Sequence, residues 1–386
     1  MKWLLLVCFF PAVLLAQTNI GFRDVSLPQA LEQSRLEQKP VFLWTFASWC
    51  PHCNKMKEEV FTNAAVAGFY NSHFICIKQD MEKGEGIALH SRFNITSYPT
   101  FIFLDAAGTT IYRVTGEFNV HSFITNGTNA GIKEKQLPYL AQQFESDTAD
   151  VDKSYAYLLA LKAAGIDFKV MVKRYLSTKT DEQLLNEKNW KILTNGITDI
   201  ESPYFQFIVN HQADYADLTS ANRVQRKLFF TVKQQMEELP SGDTTNYSRL
   251  RKVASSIHNN PIDSLLFALD LARYEHIKDW VAYKAASLEG TTKYAWNDAA
   301  QLSEIADVYV KNIADKAALA QAAIWAKRAI ELNGSYACYI TAAKLFQKAG
   351  DNPSALQITQ EAKEVAVKYG WNYKEAEDLL QRLQKK

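Results

Sequence analysis

The stretch WTFASWCPHCNKMKEEVF, Trp44 to Phe61, places Cys50 and Cys53 at the junction of two different sequence patterns. The segment VFLWTFA, Val41 to Ala47, is a short run of apolar, β-branched and aromatic residues, which is typical of a buried strand. From Pro51 to Tyr70 the periodicity is helical, and proline suits the first turn of a helix. The two cysteines are therefore predicted to lie where a strand gives way to a helix.

The segments around this junction alternate between helical and strand patterns from Gln17 to about Ala130. Helices are predicted for Leu27 to Lys39, for Glu82 to Phe93 and from about Val120, and strands for His73 to Lys78, Thr100 to Asp105 and Thr110 to Gly116. Helical crossovers between strands, followed by a hairpin, indicate an α/β sheet with helices on both faces.

Strand patterns stop at about Gly131, and the rest of the chain is predicted to be all-α. The signals of helix ends are a capping box at Thr180 and Gln183, the pair Ser202-Pro203, and the breaker Pro240-Ser241-Gly242. We expect an α/β domain at residues 17–130, an α-helical domain at 131–300 and helical repeats at 301–386.

A repeat near the C-terminus resembles tetratricopeptide repeats, in which small residues let paired helices pack closely. The recurring residues are Ala322 and Ala329 and, 33 residues later, Ala355 and Ala362. The two predicted units are Ser303 to Gly334 and Ser335 to Tyr369. They could form a surface for a protein partner, or their helices could pack only on each other, and both interpretations stay open.

The first residues resemble a secretory signal peptide. Lys2 is followed by an apolar stretch from Trp3 to Leu15 and by the small residue Ala16, so residues 1–16 are predicted to be cleaved and the mature protein to begin near Gln17. The apolar stretch is shorter than the roughly 20 residues of a spanning helix. We expect a protein that is soluble in the periplasm or in an equivalent exported space.

Composition narrows the range of partners. The chain of 386 residues carries 43 basic and 42 acidic residues without a basic block, which argues against nucleic acid as a ligand. Beyond the predicted signal peptide only Cys50, Cys53, Cys76 and Cys338 remain, too few for a disulfide-stapled scaffold in a chain of this length. Proteins or small molecules are the expected partners.

Three chemical roles are open to the cysteine pair. A structural zinc site needs four ligands, but there is one C-x-x-C pair, and Cys76 and His90 have no paired spacing. A structural disulfide across so short a loop would stabilise the fold little. Redox chemistry without metal or cofactor is therefore predicted, with Cys50 at the helix start as the attacking thiolate and Cys53 as the resolving thiol.

The motifs FASWCPHCNKM and SYPTFIFLD, together with Gly116, resemble the thioredoxin superfamily over roughly residues 20 to 130. The longer pattern is similar to the exported branch that includes the C-terminal domain of the electron-transfer protein DsbD. This resemblance implies a cis peptide bond between Tyr98 and Pro99, with backbone before the proline pairing with substrate. It also implies that Trp49 lies on the surface around the dithiol, although a core position is the other interpretation.

Trp44 departs from the family pattern, because several relatives have a carboxylate six residues before the first cysteine. Lys78 is a weak substitute for that carboxylate in proton transfer, and a solvated strand end is the favoured interpretation. Cys76 and Cys338 are predicted to be buried small hydrophobic residues. The histidines of the helical half, His211, His258 and His276, are predicted to be structural.

The dipeptide Pro51-His52 between the cysteines is the pair found in strongly oxidising relatives, and His52 would favour the thiolate and so the reduced form. The helical half is appended rather than inserted, unlike in those oxidants, so reduction or isomerisation is favoured over oxidation. Protein thiols and disulfides are the predicted substrates, with a redox partner in the membrane and a protein partner of the helical half. The alternative function is a non-enzymatic binding module.

Overall fold

The computed structural model describes residues 19–240 and 242–384, so the predicted signal peptide lies outside the described residues. The chain divides into two compact units. The first contains the residues up to Ile197 together with Asp217–Thr219, and the second contains Thr198–Ala216 and the residues from Ser220 onward. Among the described residues, no helix has the length and apolar character that crossing a membrane requires.

The first unit opens with an α/β region, followed by five helices. Its strands are β1 Val41–Phe46, β2 Ile75–Asp80, β3 Thr100–Leu104 and β4 Thr110–Thr115. Its helices are α1 Leu27–Glu37, α2 Pro51–Lys55, α3 Ala64–His73, α4 Gly86–Arg92, α5 Val120–Ala130, α6 Leu137–Ser146, α7 Val151–Ala163, α8 Lys169–Leu176, α9 Asp181–Leu184 and α10 Glu187–Gly196. A π-helical turn, Met56–Val60, continues α2, and a 3-10 turn, Lys133–Lys135, precedes α6.

The four strands form one sheet in the order β2-β1-β3-β4. The β1 strand pairs in parallel with β2 and antiparallel with β3, and β3 pairs antiparallel with β4 as a hairpin. The parallel pair is joined through α2 and α3, as a parallel connection requires a crossover. This arrangement is the thioredoxin-like α/β fold that the sequence predicts.

Both faces of the sheet are buried, because side chains of β1 alternate between two cores. Val41 and Leu43 belong to the core that contains α1 and α4. Phe42 and Trp44 belong to the opposite core, which contains α3, α5 and the two cysteines of the C-x-x-C pair. A strand covered on both faces reads as a continuous apolar run, which explains the sequence from Val41 to Ala47.

The helix predicted from Pro51 to Tyr70 is interrupted. The α2 helix passes into the π-helical turn, and a new helix begins after Asn63, whose side chain accepts hydrogen bonds from the backbone of Ala65 and Val66. An asparagine cap of this kind starts a helix and so separates α3 from the preceding turn. His73 accordingly ends α3, and β2 begins at Ile75 rather than at His73.

The helices that follow α5 in the first unit begin by packing against the edge strand of the sheet. Both α6 and α7 contact β4. After α7, Gly165 has a φ of +62°, and an added Cβ would stand 3.1 Å from the Thr115 side chain. The capping box of Thr180 and Gln183 is present, but α9 ends at Leu184 and α10 has its own cap, Asn186. The domain boundary at about residue 130 stays a prediction.

The described residues of the second unit form helices joined by loops, without strands. Its helices are α11 Pro203–Asn210, α12 Gln212–Leu218, α13 Ala221–Glu237, α14 Thr244–Ser255, α15 Asn260–His276, α16 Trp280–Tyr294, α17 Ala299–Asn312, α18 Lys316–Asn333, α19 Tyr336–Ala349, α20 Asn352–Tyr369 and α21 Lys374–Gln384. The last two residues of α12, Asp217 and Leu218, fall outside this unit. As expected, Ser202 caps α11 with Pro203 in its first turn.

The predicted repeats correspond to two helix pairs, α17 with α18 and α19 with α20. The recurring alanines, Ala322, Ala329, Ala355 and Ala362, are fully buried, and Gly350 ends α19 in the left-handed conformation. Small buried residues permit close helix packing, which is the property that the repeat pattern requires. The identity of these pairs as tetratricopeptide repeats stays a prediction.

Candidate active site

The two cysteines lie where β1 gives way to α2. Cys50 is the N-cap of α2 and has an extended backbone, and Pro51 occupies the first turn. The Cys50 sulfur accepts a hydrogen bond from the backbone N–H of Cys53 at 3.2 Å. The Cys50 sulfur therefore lies at the N-terminal end of α2, where it accepts one of the backbone N–H groups that the helix leaves without an intrahelical partner.

Cys53 lies one helical turn further and is more enclosed. Its exposed fraction is 1%, against 3% for Cys50, and both are free thiols. The Cys53 thiol donates to the Cys50 sulfur, and the two sulfur atoms are 2.6 Å apart. Burial, and then the contact with Cys50, raise the pKa of the Cys53 thiol to about 12. Cys53 is therefore protonated at neutral pH, whereas its sulfur stays close enough to Cys50 to form a bond.

The loop before β3 contributes the next part of the site. The peptide bond between Tyr98 and Pro99 is cis, as the family resemblance implies. Gly116 donates its backbone N–H to the carbonyl of Pro99 at 2.9 Å. Burial, followed by the charges of Glu82, Asp80 and the two cysteines, raises the pKa of Tyr98.

Trp49 lies at the surface, so the interpretation as a core residue is wrong. The exposed fraction of this residue is 66%. Its indole N–H donates to a Glu82 carboxylate oxygen at 2.9 Å, and its ring packs edge-on against Tyr98 with centroids 6.1 Å apart. The two contacts hold the exposed ring in one orientation next to Cys50.

His52 is exposed and faces a carboxylate that sequence reasoning missed. Its Nδ1 lies 3.0 Å from an Oε2 atom of Glu117, whose other oxygen pairs closely with the ammonium of Lys55. Hydrogen bonds from Lys55 and then from His52 lower the pKa of Glu117. The signal that could have found Glu117 is its place directly after Gly116, a residue that belongs to the family motif.

The side of the dithiol that faces the sheet is aromatic. Trp44 is buried, stacks on Phe46 with centroids 4.5 Å apart and meets Phe61 edge-on at 4.8 Å. Within the described residues, its buried indole N–H has no hydrogen-bond partner. Lys78 is exposed, and its ammonium lies 5.9 Å from the centroid of the Phe22 ring. Neither residue supplies the carboxylate that several relatives have at the position of Trp44.

Cys76 and Cys338, the other two cysteines in the described part of the chain, are buried as expected. Burial raises the pKa of the Cys76 thiol to about 12, which makes this side chain a poor nucleophile at neutral pH. Cys338 lies between the hydroxyls of Ser303 and Ser335, at 3.1 and 3.0 Å. Across the described parts of the chain, no group of three His, Cys, Asp or Glu side chains converges as a metal site would require.

Comparison with known proteins identifies relatives of the α/β region. Residues 27–125 match the family model of the thioredoxin-like domain. The disulfide bond reductase DsbH of Chlamydia pneumoniae is 25% identical over 99 residues, which are 23% of this chain and 60% of DsbH. The thiol:disulfide interchange protein DsbD of Cronobacter sakazakii is 33% identical over 116 residues, which are 29% of this chain and 20% of DsbD.

Among solved structures, a solution structure of a proposed disulphide-isomerase from Bacteroides thetaiotaomicron is 33% identical. The match covers 30% of this chain and 94% of that one, with a TM-score of 0.28. The chain spans less than two thirds of the length of DsbH and of DsbD. Residues 27–125, which contain the dithiol and the cis-proline, form a thioredoxin-like domain homologous to disulfide oxidoreductases, and a large all-helical region follows it.

Proposed function

We propose that the protein is an exported thiol–disulfide oxidoreductase that acts on envelope proteins through Cys50 and Cys53. The observation that carries this proposal is the asymmetry of the pair. Cys50 accepts an N–H at the start of α2, whereas Cys53 is held as a thiol by burial and by its contact with Cys50. One sulfur is thus prepared for attack and the other for resolution.

In the reducing direction, the Cys50 thiolate attacks one sulfur of a substrate disulfide. A mixed disulfide forms, and the other substrate sulfur leaves as a thiolate and takes up a proton. Cys53 then loses its proton, attacks the Cys50 sulfur and releases the second substrate thiolate. The dithiol has given two electrons to the substrate and has become a disulfide. In isomerisation, a different substrate thiolate attacks the mixed disulfide and returns Cys50 to its reduced form.

The exposed side chains around Cys50 would hold the substrate. Trp49 supplies an apolar ring, and Pro51 and His52 are exposed on the first turn of α2. The backbone of Tyr98, before the cis-proline, would pair with the substrate chain, as in the family. Short backbone hydrogen bonds and one aromatic contact suit a reaction that acts on many different proteins.

We favour reduction or isomerisation over oxidation as the direction in the cell. DsbH is named a disulfide bond reductase and DsbD an interchange protein, and both match the domain that carries the dithiol. A reductase in an oxidising compartment needs a supply of electrons, and a membrane redox partner would provide it. The helical domains at residues 131–300 and 301–386 would bind a protein partner.

Turnover of a model disulfide by the full chain tests this proposal. Wild-type protein should catalyse the reduction of insulin by dithiothreitol, and Cys50→Ser should abolish that catalysis, because the attacking sulfur is gone. Cys76→Ala is the matched control and should keep the rate, since Cys76 is a buried cysteine of the same domain outside the pair. If wild type and Cys50→Ser are equally inactive, the alternative of a non-enzymatic binding module replaces the enzyme.

A further inference from the structure

The carboxylate of Glu117 contacts α2, the helix that begins directly after Cys50. The preceding Gly116 has a φ of +101° and is bonded to the carbonyl of Pro99. The following Phe118 donates its backbone N–H to the Met56 sulfur at 3.2 Å, at the start of the π-helical turn. Glu117 is thus held between the cis-proline loop and the helix that carries Cys53.

This position brings Glu117 to the two basic side chains of that helix. The carboxylate bridges His52 and Lys55, one oxygen to each. A carboxylate in its ionised form only accepts hydrogen bonds, so Nδ1 of His52 carries the proton in this contact. The pKa of Glu117 is lowered by these same partners, which keeps the carboxylate ionised at neutral pH.

Charge near Cys50 decides how oxidising the disulfide is. Positive charge stabilises the Cys50 thiolate and therefore the reduced form, which makes the disulfide the stronger oxidant. The Pro51-His52 dipeptide should act in this direction, which disagrees with the reducing role proposed above. A negative charge that pairs with the nearby cations would oppose the effect.

We infer that Glu117 is a positioning residue whose carboxylate offsets the electrostatic influence of His52 and Lys55, and thereby keeps the Cys50–Cys53 couple more reducing than its dipeptide alone would make it. The inference rests on the proposed redox function of the pair. It assigns to Glu117 the regulation of the redox poise, without contact between Glu117 and the reacting sulfur atoms.

The test measures the redox equilibrium between the full chain and glutathione. In this reaction the protein dithiol and one glutathione disulfide give the protein disulfide and two glutathione thiols. Two electrons and two protons pass from protein to glutathione. Glu117→Gln keeps the shape but removes the charge, so the equilibrium constant for protein oxidation should fall about threefold to tenfold. A tenfold fall corresponds to a redox potential about 30 mV more oxidising.

Matched variants separate charge from structure. Glu117→Asp keeps the carboxylate and should stay closer to wild type than Glu117→Gln does. Glu58→Gln removes the same charge from an exposed residue of the π-helical turn and should leave the constant within about twofold of wild type. In about 1 M salt the effect of Glu117→Gln should shrink, because the Debye length falls to about 3 Å.

An unchanged constant in Glu117→Gln, or a rise, would overturn the inference while leaving the redox function intact. Equal falls in Glu117→Gln and Glu58→Gln would also overturn it, because the effect would then come from net charge alone. If wild-type protein did not equilibrate with glutathione at all, the redox function itself would fail, and the inference with it.

Discussion

The dithiol has two sides of opposite character. Toward the sheet, the aromatic rings of Trp44, Phe46 and Phe61 pack closely, and Trp44 is 4% exposed. Toward solvent, the basic side chains of His52 and Lys55 on α2 contact the carboxylate of Glu117. We call these the aromatic side, defined by Trp44, Phe46 and Phe61, and the charged rim, defined by His52, Lys55 and Glu117.

The aromatic side and the charged rim are expected to affect different properties, the first the stability of the domain and the second its redox equilibrium. Aromatic rings bury a large area and hold β1 against the helices, but they do not exchange protons. Charged groups at the surface contribute little to stability but change the relative energies of thiolate and thiol. We therefore expect substitutions on the aromatic side to change the free energy of unfolding, and substitutions on the charged rim to change the redox equilibrium.

The largest expected effect is a loss of stability in Trp44→Ala, and Trp49→Ala, five positions further along the chain, is the comparison. Trp44→Ala should lower the free energy of unfolding of the sheet by about 3–5 kcal/mol, because it leaves a large cavity in the aromatic side. Trp49→Ala removes an exposed ring and should change the same quantity by less than about 0.5 kcal/mol. Hydrogen exchange of β1 amides in the full chain measures both.

The rate of insulin reduction by Trp49→Ala tests whether the exposed ring contributes to substrate binding. Trp49→Ala should slow the reaction through a higher KM, since the ring is proposed to contact substrate. Equal losses of β1 protection in the two variants would contradict the division between the aromatic side and the solvent-facing surface.

The second prediction concerns alkaline pH and the reduced protein. Cys53 has its pKa raised to about 12 by burial and by the contact with Cys50, whereas an unfolded cysteine titrates near about 8.5. Between these values the unfolded chain binds fewer protons, so stability is fully present below about pH 8.5 and falls as the pH rises toward about 12. The slope approaches about 1.4 kcal/mol per pH unit.

Urea unfolding of the reduced and oxidised forms measures this slope. The measurements run from about pH 8 to about pH 11, a range that begins just below the pKa of the unfolded thiol and ends below the pKa of the folded one. The oxidised form and the Cys53→Ala variant lack the Cys53 thiol and should show a shallower fall. Cys76, whose pKa is also raised to about 12, contributes equally to all three. Parallel slopes in the reduced and oxidised forms would show that Cys53 is not the titrating group.

A smaller effect is expected from His52 on the charged rim. His52→Gln should make the couple more reducing, because it removes a group that favours the Cys50 thiolate. The change in the glutathione equilibrium constant should be about twofold in the wild type and closer to tenfold in the Glu117→Gln background, where the carboxylate no longer offsets the charge. Equal changes in both backgrounds would mean that His52 and Glu117 act independently.

Local sequence was sufficient to predict the parts of the site that depend on one junction or one loop. The apolar run before Cys50 and the proline after it predict the strand and the helix start. The position of each cysteine relative to that helix start is the basis for predicting Cys50 as the attacking thiolate and Cys53 as the resolving thiol. The motif around Pro99 implies the cis bond through family resemblance. Asn63, a strong helix cap before an alanine-rich stretch, carried a signal for the break before α3 that the helical periodicity concealed.

The charged rim could not be predicted in the same way, because it joins residues far apart in the sequence. The place of Glu117 after Gly116 connects it to the family motif but does not show which residues of α2 it contacts, and those contacts depend on the sheet order β2-β1-β3-β4. The π-helical turn at Met56–Val60 was missed for a similar reason, since its residues have ordinary helical propensity. The position of Trp49 remained open because its ring contacts Glu82 and Tyr98, which are distant in sequence.

The most direct test of the central claim is a mixed-disulfide trap in the full chain. Cys53→Ser should accumulate substrate joined to Cys50, because the attacking sulfur remains and the resolving sulfur is gone, whereas Cys50→Ser should accumulate almost none. Mass spectrometry of the linked peptides identifies the cysteine that carries the substrate. We predict Cys50 in nearly all of the trapped product, and capture to the same extent by both variants, or by neither, would contradict the assignment of Cys50 as nucleophile and Cys53 as resolving thiol.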